Sequence, residues 1–146
     1  KDSSSGCAVA STSMALSSLG IYVTPRQICY ENSQHNDPAK FLSTYMYSWD
    51  QFKNREDGQN CVWHNMSTIG SSDDITNAIK NYKEHPDKYS PPILGVENNA
   101  SNPGADHYVV CVDINPDGSF LTQDPGSLAP STYNGIYYSV YQYEKV

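Results

Sequence analysis

Residues His107–Asp124 read HYVVCVDINPDGSFLTQD. The β-branched run His107–Ile114 predicts a strand. Asn115-Pro116-Asp117-Gly118 is a strong turn, and Ser119–Gln123 predicts the returning strand, so the segment is a β-hairpin. A hairpin brings its outer ends together. His107 opens the first strand and Asp124 follows the second, which sets an imidazole and a carboxylate within hydrogen-bonding reach.

Upstream, Ser3–Gly20 reads SSSGCAVASTSMALSSLG. Small and apolar residues predict a helix over Gly6–Leu19, with Ser3–Ser5 as candidate caps and Gly20 as its stop. The run carries no charged side chain, the pattern of a central, buried helix. Cys7 falls in its predicted first turn, where backbone N–H groups lack partners and the helix dipole favours thiolate over thiol.

Between helix and hairpin, Thr24-Pro25 and Asp37-Pro38 each place a cap before a first-turn proline. They predict two short helices, the second running through Phe41, Leu42 and Tyr45. Gln51–Gln59 reads as a loop around Asp57-Gly58, and Cys61–Met66 as a strand. Ser71–Asp74 forms a capping-box pattern, followed by Ile75, Ala78, Ile79 and Tyr82 at helical spacing to about Lys83. Pro92–Val96 is a short apolar run, and the Tyr- and Val-rich Ile136–Tyr143 predicts a last strand. Helices first and antiparallel strands second give an α+β fold, an N-terminal helix carrying the cysteine packed on a C-terminal antiparallel sheet.

The 146 residues predict a single domain over 1–146 with a core that needs no staples. The start at Lys1, six residues before Cys7, reads as a trimmed N-terminus. A formal net charge of −7, spread rather than blocked, argues against a nucleic-acid partner. No segment approaches the ~20 apolar residues of a membrane span. Among the four cysteines no CxxC pair occurs, which argues against a zinc ribbon or thioredoxin-type site.

A cysteine nucleophile needs a base for its proton and a third group to hold that base. Cys7, His107 and Asp124 supply the three in order. GCAVASTSMAL, GADHYVVCVDINPDG and FLTQDPG together resemble papain-like cysteine peptidases of the bacteriocin-processing type, which cut double-glycine leader peptides and have stand-alone secreted relatives. His107-Tyr108-Val109-Val110 and Asp124-Pro125 match that group's motifs closely. Cys7 with Thr12, Ser13 and Met14 matches loosely, and about Asn32–Ser67 matches nothing. The resemblance implies a papain-like fold, Cys7 as nucleophile, His107 as general base and then acid, and Asp124 as the orienting carboxylate. It also implies a thioester intermediate, an oxyanion held partly by the Cys7 N–H, no cofactor or metal, a peptide or protein substrate, and a secreted or cell-surface location.

Two positions depart from the pattern. Lys1 stands where the group has a glutamine for the oxyanion hole, so that donor must be Lys1, one of Ser3–Ser5 or an upstream residue. Ala8-Val9 replaces Gly-Pro beside the nucleophile. These departures motivate a rival reading, a catalytically idle peptide-binding module on the same scaffold. A cell-wall amidase ranks lower, because Gly6 stands where wall-amidase motifs place Asp or Gln.

Asp113, Asn115, Asp117, Gly118 and Asp124 also fit a calcium-loop spacing, but strands flank them instead of helices, and Pro116 favours a tight turn. Cys29 and Cys61 are either two free thiols or a bridge, which the chain-entropy estimate values at roughly 3–4 kcal/mol. Cys111 shares a strand face with Val109 and His107 and reads as core beneath the site. His35, His64 and His85 have polar or loop neighbours and read as surface residues.

Overall fold

The computed structural model describes residues 3–28, 60–67, 72–97, 107–124, 131–133 and 137–146, with backbone alone at 3–7, 67, 72, 133, 137 and 138. The predicted helix from Asp37-Pro38, the loop at Gln51–Gln59, the cap at Ser71 and Cys29 lie outside the described residues.

The chain begins with α1 (Ser3–Ser18). It starts three residues earlier than the sequence predicts: no proline or glycine stands among Ser3–Ser5 to stop a helix, so these serines continue it rather than cap it. At its other end the expectation holds. Gly20 adopts φ 79°, its N–H donates to the Ser17 carbonyl at 3.0 Å, and the Ile21 N–H donates to the Leu16 carbonyl at 3.0 Å. This is a Schellman stop, in which a left-handed glycine lets the chain turn back over the helix end. Thr24 and Gln27 then satisfy each other's backbone N–H groups at 2.9 and 3.1 Å, as the capping pattern requires.

The described remainder comprises β1 (Cys61–Ser67), α2 (Ser72–Glu84), β2 (Ile93–Val96), β3 (His107–Ile114), β4 (Phe120–Gln123), β5 (Ser131–Tyr133) and β6 (Tyr137–Lys145). The strands form one sheet in the order β1-β6-β2-β3-β4-β5, and every pair is antiparallel. β3 and the Asn115–Gly118 turn stand where the sequence sets them, with Gly118 at φ 88°. β5 was not predicted, and the last strand inserts between β1 and β2. The protein is therefore α+β on a six-stranded antiparallel sheet.

A helix covers each face. Val9 and Leu16 of α1, with Leu19 just beyond it, pack with Ile93, Val110 and Tyr143. Ile75, Ala78 and Ile79 of α2 pack with Leu94, Val109, Cys111 and Val140 on the opposite face. Along β3 the pleat sends Tyr108, Val110 and Val112 toward α1, and Val109 and Cys111 toward α2. Among the described residues no helix is long and apolar enough to cross a membrane.

One buried polar group ties α2 to the sheet. Gln142, 1% exposed, donates to the Ala78 carbonyl at 2.8 Å and to the Ser90 carbonyl at 2.7 Å, and accepts from Asn81 Nδ2 at 3.3 Å. Gln142→Leu keeps the volume but leaves two buried carbonyls without that donor, at about 1–3 kcal/mol each. Urea denaturation should show a loss of about 2–6 kcal/mol, and an unchanged midpoint would contradict this role.

Candidate active site

His107 is the first residue of β3 and Asp124 the first beyond β4. Their side chains meet, with His107 Nε2 2.8 Å from Asp124 Oδ2. The imidazole is 16% exposed and the carboxylate 36%, so the pair sits at the surface of the core without being sealed in it.

The meeting depends on the register of the hairpin. At the turn, Ile114 pairs with Phe120 and Asp113 with Leu121; past a bulge, Cys111 pairs with Thr122 and Val110 with Gln123. Val112 is the extra residue. Carried one residue on, this register sets Asp124 beside Val109, in the same row as His107. An unbulged ladder from the same turn would set Asp124 opposite Val110, on the row that faces α1. The bulge also explains why Ile114 and Cys111, three residues apart, both join the α2-side core.

The ring nitrogen that faces Asp124 is Nε2. With Asp124 ionised, that nitrogen donates, and the lone pair of the neutral ring then lies on Nδ1. Asp124 thus selects the tautomer as well as the orientation.

The backbone of Cys7 belongs to α1, and its side chain lies outside the described part of the structure. The helix nonetheless has a clear course. At mid-helix, Ser11 Oγ donates to the Tyr108 carbonyl at 3.1 Å. At its C-terminal end the Leu19 carbonyl accepts from Lys145 Nζ at 3.2 Å. Gly95 pairs with both Tyr108 and Ser139, so Tyr108 is level with the early part of β6, and Lys145 is at that strand's far end. The helix therefore crosses the sheet diagonally, its earlier residues running toward the end where β3 begins. Cys7 stands one helical turn before Ser11, a rise of about 6 Å.

The early helix start changes one expectation. In the i→i−4 pattern of a helix beginning at Ser3, the Cys7 N–H is directed to the Ser3 carbonyl. The N–H groups without an intrahelical partner then belong to Ser3, Ser4 and Ser5, one turn earlier. Cys7 is in the second turn, not the first.

The other candidates separate from this site. Cys111 is fully buried, and burial pushes its thiol up to about 12. Cys61 is a buried thiol in β1, the strand that the sequence predicts from Cys61. His64 pairs with Glu144 at 2.8 Å and is 43% exposed, and His85 is exposed; His35 lies outside the described residues. The residues of the calcium-like spacing have protein partners: Asp113 Oδ1 accepts from Lys83 Nζ and the Ile114 N–H, Asp117 accepts from the Ser119 N–H and hydroxyl, and Asp124 contacts His107. Sequence reasoning missed Ser11, whose bond to β3 joins segments 97 residues apart.

The comparisons agree with the resemblance carried by the three motifs. The chain matches the family model of the Peptidase_C39 like family over residues 1–146. No curated protein and no solved structure matches it.

Burial holds two acids of β3 in their neutral forms. The Tyr108 phenol, pressed also by Tyr141, is pushed from 10.0 up to about 12, and the Cys111 thiol from 9.0 up to about 12. The unfolded chain loses both protons before the folded chain does, so stability is full below about pH 9 and falls between about pH 9 and 12. Denaturation midpoints across that range should decline, and the decline should shrink in Cys111→Ala; a flat profile would contradict the burial argument. By its full-length match the chain belongs to the Peptidase_C39 like family, a cysteine-peptidase-like group.

Proposed function

We propose that the protein is a papain-like cysteine peptidase that cleaves peptide bonds through Cys7, His107 and Asp124, acting outside the cell or at its surface. The observation that carries this reading is the His107–Asp124 contact at the end of the sheet toward which the first half of α1 runs. Family membership supports it independently.

In this mechanism Asp124 accepts the Nε2 proton's hydrogen bond and leaves Nδ1 to take the proton of the Cys7 thiol. The thiolate attacks the carbonyl carbon of the scissile bond and forms a tetrahedral intermediate. The C–N bond breaks as the imidazolium returns its proton to the leaving amine, and a thioester remains. Water, deprotonated by the same imidazole, hydrolyses the thioester and restores the thiol. Because α1 lies against the row of Tyr108 and Val110 while His107 belongs to the other row, this mechanism requires the thiol to reach the imidazole past the last rung of β4.

A catalytically idle binder is the second reading. The observation in its favour is the start of α1 at Ser3, which commits the Cys7 N–H to the helix and leaves the oxyanion to other donors. Removing one such donor typically costs about 10²–10³ in rate.

Alkylation of the folded protein with iodoacetamide, read residue by residue by mass spectrometry, tests the site. Cys7 should label far faster than Cys29, Cys61 or Cys111 at neutral pH. Turnover of a broad peptide library should fall by about 10³ or more in Cys7→Ala and His107→Ala and by a smaller factor in Asp124→Ala, with far-ultraviolet circular dichroism unchanged. Equal labelling of all four thiols contradicts the nucleophile assignment. A fast Cys7 with no cleavage selects the idle binder.

A further inference from the structure

We propose that Ser11 is a positioning residue that sets the approach of Cys7 to His107; this rests on the Cys–His–Asp reading above. α1 carries several hydroxyls, and their bonds differ in kind. Thr12 Oγ1 donates to the Ala8 carbonyl at 2.8 Å and Ser17 Oγ to the Ser13 carbonyl at 2.8 Å, each one turn back in its own helix. Such bonds satisfy the hydroxyl and fix nothing outside the helix. Ser13 Oγ reaches the Val23 carbonyl at 2.7 Å, in the chain just after the helix.

Ser11 does neither. Its one-turn-back acceptor would be the carbonyl of Cys7 itself, and instead its hydroxyl crosses to the Tyr108 carbonyl at 3.1 Å. The residue is 0% exposed. One end of this bond is one helical turn from Cys7, and the other is the residue after His107. β4 makes its last described pair with β3 at Val110, so the Ser11 hydroxyl binds β3 at the point where the ladder has stopped. It joins the start of the strand that carries the imidazole to the middle of the helix that carries the thiol, one turn after Cys7.

Val9 of α1 and Val110 belong to one apolar cluster, and Tyr108 packs against it. Such packing resists separation but tolerates sliding. A directed hydrogen bond resists sliding along the strand, the motion that changes the sulfur–imidazole distance. Misplacement of reacting groups by about 1 Å can cost about 10²-fold in rate.

The test compares Ser11→Thr with Ser11→Val, near-isosteric side chains with and without the donor, and adds Ser11→Ala. Ser17→Ala is the control, since it removes a hydroxyl that bonds only within the helix. Second-order rates of Cys7 alkylation by iodoacetamide are measured from acid to alkaline pH on the full chain, beside urea midpoints. Ser11→Val and Ser11→Ala should slow alkylation at neutral pH by about tenfold and move the rise of the profile toward that of an ordinary thiol. Ser11→Thr should stay within about twofold of the parent, and Ser17→Ala should lower stability without moving the profile. Should Ser11→Ala fail to fold, the Thr and Val pair carries the comparison. Equal profiles for Thr and Val, or a Ser11→Ala profile superimposed on the parent's, overturn the assignment of Ser11 alone. A parent protein whose Cys7 shows no enhanced reactivity overturns the triad and with it the role of Ser11.

Discussion

An imidazole and a carboxylate 17 residues apart meet across the β3–β4 hairpin at 2.8 Å, and that contact exists only in one register. The turn at Asn115–Gly118 fixes which residues face each other first. Without the extra residue at Val112, Asp124 would stand with the side chains that point at α1, and His107 with those that point at α2. The bulge corrects the parity by one residue. The same correction returns Ile114 to the α2-side core, so apolar burial and the polar pair demand one register together. The pair is held in place by core packing that it does not itself supply.

The second element of the account is the character of α1. From Ala8 onward α1 is buried or half-buried at every residue but Ser18, and a helix with so little solvent face accounts for the absence of charge over Ser3–Ser18. Small side chains let it approach closely, and its hydroxyls find acceptors within the protein. Ala8, Val9, Ala15 and Leu16 are all buried, and full burial of a side chain such as Leu16 contributes about 1.5–3 kcal/mol. The Gly20 stop and the Lys145 contact with the Leu19 carbonyl fix the far end of the helix to the sheet. A helix secured at that end and bonded to β3 at its middle has a defined course, and its course determines where the Cys7 backbone stands.

Much of this was legible in the sequence because it is local. The bounds of β3, the Asn-Pro-Asp-Gly turn, the Gly20 stop and the Thr24 cap each follow from a few adjacent residues, and the structure repeats them. The proximity of His107 and Asp124 was legible because hairpin pairing is nearly local. The start of α1 was not, since serine serves as cap and as helix residue alike. The insertion of β6 between β1 and β2 was not, because strand order is set by long-range packing that leaves no mark in one strand's pattern. Gln142 is buried and bonded to α2, and no neighbouring residue in the strand marks it for that role. The bulge at Val112 leaves no glycine or proline to announce it.

In the proposed mechanism the sulfur of Cys7 shares a proton with the imidazole that Asp124 orients. The most direct measurement is the thiolate ultraviolet absorbance of the folded protein through a pH titration, taken as the difference from Cys7→Ser and repeated in His107→Ala. A Cys7 midpoint well below the ordinary thiol value of about 8.5 is expected, with a return toward that value when the imidazole is removed. A midpoint at or above the ordinary value, or a lowered one indifferent to His107, would contradict it.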